Sequence, residues 1–145
     1  MNLPTREIRE GLKIINGDCM EVMKQYEDNY FDLAVVDPPY GIGIDGQKED
    51  ITKKGTQKRK GHEFKGWDNA IPKREYFEEL RRVSKDQIIW GGNYFTEFLK
   101  PVKGWIFWYK GQQGLTMSDG EMAWTSLKKV TRMVDIHRTH LWQEK

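Results

Sequence analysis

A single cysteine, Cys19, stands in a chain of 145 residues, so an internal disulfide is excluded. Only three histidines are present, scattered along the chain, and none has zinc-ligand spacing; no metal site is expected. Long hydrophobic runs are also lacking. The longest, Trp105 to Tyr109, falls far short of the ~20 residues that a membrane helix needs. The opening residues, Met-Asn-Leu-Pro-Thr-Arg-Glu, contain no apolar stretch of the kind a secretory signal requires. These absences predict a protein of the reducing cytoplasm with no membrane partner. No internal repeat occurs, and no linker divides the chain into two packable halves.

What is present is one domain's worth of polar sequence. Its length predicts burial of roughly 68–70% of the surface that the unfolded chain exposes. Hydrophobic residues make up 37%, charged residues 32%, and mean hydropathy is −0.80. Aromatic residues at 12%, six of them Trp, argue against disorder. Net charge is only +2, yet Gln47 to Lys65 carries seven Lys/Arg against three Asp/Glu, a local +4 that leaves −2 for the rest. Such a basic stretch suits either a solvated loop or a polyanionic partner.

Alternating patterns predict a chain of strands and helices. Leu12 to Asn16 reads as a strand, with Asp18 capping a short helix that bears Met20, Val22 and Met23. Phe31 to Val36 reads as a strand whose run Leu33-Ala34-Val35-Val36 suits burial on both faces, as in a parallel sheet. From Pro38 to Ile71 the chain holds six Gly and little apolar periodicity, and a connection of that length is usually functional or disordered. Pro72 at a first helical turn, with Asp68 or Asn69 nearby, precedes Tyr76, Phe77, Leu80 and Val83 on one helical face. Gln87–Trp90 and Gly104–Tyr109 read as strands and Tyr94–Leu99 as a short helix. Arg132–His137 and His140–Trp142 read as late, half-exposed strands. The alternation predicts an α/β fold with a mostly parallel sheet flanked by helices.

Asp37-Pro38-Pro39-Tyr40 follows the apolar strand directly, where ligands bind in open parallel sheets. Two prolines stiffen the backbone and remove two N–H donors, so carbonyl acceptors cluster beside a carboxylate. Such a cluster suits an exocyclic amino group, and the Tyr40 ring offers a face for a planar base. Gripping both amine hydrogens would draw the nitrogen toward sp³ character and expose its lone pair for alkylation by positioning and electrostatics. A rigid turn with no chemistry is the competing reading of the same four residues.

Asp37-Pro38-Pro39-Tyr40-Gly41 resembles a signature motif of the amino-group (adenine-N6 and cytosine-N4) DNA methyltransferase family. Asn16-Gly17-Asp18-Cys19-Met20-Glu21-Val22-Met23 resembles the strand–acid–helix segment preceding that motif. Trp67-Asp68-Asn69, Ile88 to Phe95 and Gly104 to Lys110 resemble further segments of prophage and restriction-modification members. The resemblance implies a Rossmann-like fold, S-adenosylmethionine as cofactor and double-stranded DNA as partner. It implies that Asp37, Pro38, Pro39 and Tyr40 form the catalytic corner. Asp18, Cys19 and Asp37 would contact the cofactor. Asp first and Tyr last in the tetrad favour adenine-N6 as the methyl acceptor.

The family's glycine-rich cofactor motif, of the type Phe-x-Gly-x-Gly, is not found. Its absence implies a single but incomplete catalytic domain over residues 1–145. This would be the N-terminal half of a permuted enzyme, whose partner would be a complementary C-terminal half or a second copy. Gly41-Ile42-Gly43-Ile44-Asp45-Gly46 mimics a dinucleotide fingerprint but opens no amphipathic helix, so it reads as part of a basic mobile loop about 41–70. Within that loop Lys53, Lys54, Lys58, Arg59 and Lys60 are candidate phosphate contacts. Tyr94 or Trp90 is a candidate for lining the base pocket. The alternative function is a catalytically inactive remnant serving nucleic-acid binding or assembly.

Overall fold

A computed structural model describes residues 5–46, 63–114 and 118–136. The described chain opens with an antiparallel hairpin, β1 (Thr5–Arg9) and β2 (Leu12–Ile15). Helix α1 (Cys19–Met23) follows, capped as anticipated by Asp18, whose Oδ1 accepts from the Met20 amide at 2.8 Å. Then come β3 (Phe31–Val36), α2 (Arg74–Val83) and β4 (Ser84–Trp90). A single 3-10 turn at Gly92–Tyr94 leads to β5 (Trp105–Tyr109), β6 (Gly120–Thr125) and β7 (Arg132–Asp135).

Among the described residues the main sheet has five strands, in the order β3-β4-β6-β5-β7. The architecture is α/β, but the sheet is mixed rather than mostly parallel. Pairs β3–β4 and β5–β7 are parallel, whereas β4–β6 and β5–β6 are antiparallel. Connection length explains the difference. Residues 37–83, with α2 among them, give β3 and β4 room for a parallel crossover, whereas residues 110–119 are too few for one between β5 and β6.

One face of the sheet is packed. Phe77, Leu80 and Val83 of α2 meet Ile89 of β4, Trp124 of β6, Phe95, and Met23 of α1. Phe77 and Phe95 are fully buried, and truncating such a ring costs ~3–5 kcal/mol. Helix α2 runs straight into β4: Ser84, its C-cap, is already extended. Arg82, paired with Glu79 on the same helix, ties α2 to the turn after α1 through Asp28 and the carbonyls of Met23 and Tyr26.

The other face is different. Register places Leu33, Val35, Ile88, Trp90, Ile106, Trp108 and Val134 together on it. Leu33 and Val35 are 45% and 59% exposed, and Val134 is 36% exposed. The run Leu33–Val36, expected to be covered on both faces, is therefore covered on one only. Among the described residues α1 and α2 are the α-helices, and both pack with the buried cluster of the first face.

Some element boundaries differ from those expected. Pro72 precedes the helix N-cap, Lys73, rather than lying in the first turn, and neither Asp68 nor Asn69 caps α2. The segment expected to be a helix from Tyr94 is a 3-10 turn ending there, because Gly91 enters it with a left-handed φ of 68°. Strands β1 and β6 were not anticipated. Residues His137, His140 and Trp142 lie outside the described residues.

Candidate functional site

Strands β3 and β4 are parallel, so their carboxyl ends share one edge of the sheet. Asp37 leaves β3 at that edge, and Trp90-Gly91 leaves β4 beside it. Asp37 is exposed, Pro38 is buried, and Pro39 and Tyr40 are half-buried. The tetrad folds back on itself: the Tyr40 hydroxyl donates to Asp37 Oδ1 at 2.6 Å.

The Tyr40 ring stacks on Tyr94 with centroids 4.9 Å apart and planes 15° from parallel. Gly91 makes this placement possible. Its φ of +68° suits glycine, and a Cβ there would overlap the Tyr40 ring. Burial, then the hydrogen bond and charge of Asp37, then the charges of Glu121 and Tyr94, push the Tyr40 phenol well above its ordinary value. The phenol is therefore a hydrogen-bond donor throughout the physiological range.

Glu121, at the start of β6, pairs with Lys110, whose ammonium lies 5.0 Å from the Trp108 ring centroid. Trp108 in turn meets Trp90 edge-on at 6.3 Å. Strand pairing brings these side chains to the same edge of the sheet as the carboxyl ends of β3 and β4. In the sequence, Glu121-Met122-Ala123-Trp124 resembles a further family segment without a role that chemistry assigns, because the relation of Glu121 to Tyr40 depends on how β6 pairs in the sheet.

The chain after Tyr40 is fixed by two carboxylates. Asp68, 1% exposed, accepts from the Gly41 and Ile44 amides at 2.8 Å each. Asp45 accepts from the Lys65 and Trp67 amides at 2.8 and 3.2 Å. Residues 41–46 and 63–70, expected to belong to a mobile loop, are thus bound to one another. The loop's basic candidates, Lys53, Lys54, Lys58, Arg59 and Lys60, lie outside the described residues.

Asp18 and Cys19 sit at the start of α1, both exposed. One Asp18 oxygen is engaged in capping. Partial burial, then the Asp18 charge, pushes the Cys19 thiol up, so it is not an activated nucleophile. Cys19 lies near Tyr76, where its charge acts on the phenol. The structure thus gathers Asp37, Pro38, Pro39 and Tyr40 with Tyr94 and Gly91. The hydrogen bonds of Asp18 and Cys19 lead instead to the first turn of α1. Among the described residues no group of three His, Cys, Asp or Glu could hold a metal ion, and no helix is long and apolar enough to cross a membrane.

No protein-family model matches the chain, and no curated protein matches it.

Proposed function

We propose that the chain carries the catalytic corner of an S-adenosylmethionine-dependent DNA adenine-N6 methyltransferase, as that enzyme or as its catalytic half. The supporting observation is the Asp37–Tyr40 pair at the carboxyl edge of β3 and β4, with the acid exposed and its second oxygen outside the Tyr40 bond. In this reading a flipped adenine donates its amino hydrogens to Asp37 and the Pro38 carbonyl. Tyr40 orients the acid and would meet the base with the part of its ring that the stacked Tyr94 leaves uncovered. The nitrogen becomes cationic as it accepts a methyl group, and its surplus proton leaves to Asp37 or to water.

S-adenosylmethionine, when bound, would supply the methyl group as a sulfonium electrophile, its S–CH3 bond breaking to leave a neutral thioether. Asp18 fits its adenine end in donor chemistry, because an exposed carboxylate with one oxygen outside the cap can accept from an amino group. Cys19 would contribute its backbone. Lys53, Lys54, Lys58, Arg59 and Lys60 would meet DNA phosphates, with double-stranded DNA as the partner.

The test is transfer of a labelled methyl group to duplex DNA, by the chain alone and with a complementary chain that brings a glycine-rich cofactor loop. Asp37→Ala abolishes transfer while cofactor binding is at least partly kept. Retained turnover in that variant would remove the role assigned to the carboxylate.

A second reading, an inactive remnant serving nucleic-acid binding or assembly, is favoured by one observation: the exposed apolar face around Leu33, Val35 and Val134. No calorimetric signal with millimolar S-adenosylmethionine, with or without a complementary chain, alongside salt-sensitive DNA binding, would select it.

A further inference from the structure

Gly41 and Gly43 both take a φ of +68°, and Ile42 between them keeps an ordinary negative φ. This alternation turns successive N–H groups toward a common side, forming a backbone concavity suited to an anion. In a sequence reading Gly-x-Gly-x-x-Gly, a phosphate would be the obvious occupant. Here the occupant is internal. Asp68 Oδ1 takes the Gly41 N–H and Oδ2 takes the Ile44 N–H, while the Asp68 carbonyl accepts from Gly43 at 3.3 Å. The Ile44 N–H, opposed by burial and joined by those of Gly41, Tyr40 and Ile42, holds the carboxyl below its usual range.

We propose that Asp68 is the built-in counter-anion of this backbone concavity and, through it, the positioning residue for the Asp37–Tyr40 corner. Gly41 is joined directly to Tyr40, so anchoring its amide fixes the point at which the Tyr40 ring leaves the backbone. The ring then holds Asp37 through its hydroxyl. A neutral amide of the same shape cannot substitute. Asn presents one accepting oxygen and turns its own N–H donors toward another N–H, leaving a buried donor unpaired. The consequence for the corner rests on the methyltransferase reading. The concavity and its occupant do not.

The test uses the full chain, with amide NMR signals and thermal unfolding as readouts. Asp68→Gly empties the concavity, and sodium formate is compared with sodium chloride at equal ionic strength. The wild-type Gly41 and Ile44 signals are expected to ignore formate. In Asp68→Gly, the signals of Gly41, Ile44, Tyr40 and Asp37 shift, and formate, not chloride, returns them and raises Tm. Asp68→Asn, which keeps the site filled but uncharged, shifts the same four signals and gains nothing from formate. Unchanged Tyr40 and Asp37 signals in either folded variant would overturn the proposal. So would an equal response of Asp68→Gly to formate and chloride. Should Asp68→Gly not fold, the Asp68→Asn shifts decide. Absence of methyl transfer with these shifts intact would remove the enzymatic reading and leave the role of Asp68 standing.

Discussion

Tyr40 donates its phenol proton to Asp37 across 2.6 Å, so the ring and the acid of the diproline corner hold each other in place. The bond has a cost at high pH. Burial and the neighbouring acid keep Tyr40 protonated in the folded chain well beyond the ordinary phenol value of 10.0. Burial pushes Tyr76 up to about 12. The unfolded phenols ionise first, so the unfolded state binds fewer protons above pH 10.0, and stability falls as pH rises past that value. Denaturant unfolding between neutral pH and about pH 11 should show this decline. Tyr40→Phe should make it shallower, and Tyr76→Phe should remove a separate part of it.

Gly91→Ala should disturb the corner from the opposite strand. The left-handed backbone alone costs ~1–2 kcal/mol for a residue with a Cβ, and the new methyl overlaps the Tyr40 ring. The expected result is a lower unfolding midpoint with an unchanged m-value and loss of the Tyr40–Tyr94 stacking signal. Retained stacking would show that the ring does not depend on the gap at Gly91.

The bare side of the sheet predicts association. Val35→Lys should leave the monomer's stability within ~0.5 kcal/mol, since Val35 already faces solvent. Assembly with a second copy or a complementary chain should weaken about tenfold or more, or ~1.4 kcal/mol, in sedimentation equilibrium. Identical association in the variant would assign this surface to solvent.

The basic segment can be tested through salt. Neutralising Lys58, Arg59 and Lys60 together should weaken DNA binding and flatten the plot of log K against log salt by about 0.9 for each phosphate that is no longer neutralised. An unchanged slope would place these side chains away from DNA.

How much of this was legible in the sequence depended on the range of the interactions involved. The spacing of Phe77, Leu80 and Val83 announced α2, and Asp18 before a short apolar helix announced a cap, because both signals are local. The run Leu33–Val36 announced a strand but misreported its burial, since apolar side chains look alike whether covered or awaiting cover. Strand β6 was silent for a related reason. Ala123, Trp124 and Thr125 are buried consecutively, so no alternation marks them.

Sheet direction was lost because it depends on which distant strands meet. The role of Asp68 was hidden by the same distance, as its Gly41 partner lies 27 positions away. The site divides along this line. Asp37 to Tyr40 could be read in one glance along the chain, whereas the contacts that Gly91, Asp68 and Glu121 make with the corner exist only once distant segments converge.

The paired carboxylates Asp45 and Asp68 carry one more consequence. They join residues 41–46 to residues 63–70 through four amide hydrogen bonds. An insert placed between the two segments would start and end at fixed points. Lengthening it adds only slowly to the entropy of closing the loop, because that term grows with the logarithm of its length. Grafting inserts of other sizes or charges at these two posts offers a way to change the surface charge there without retuning the corner.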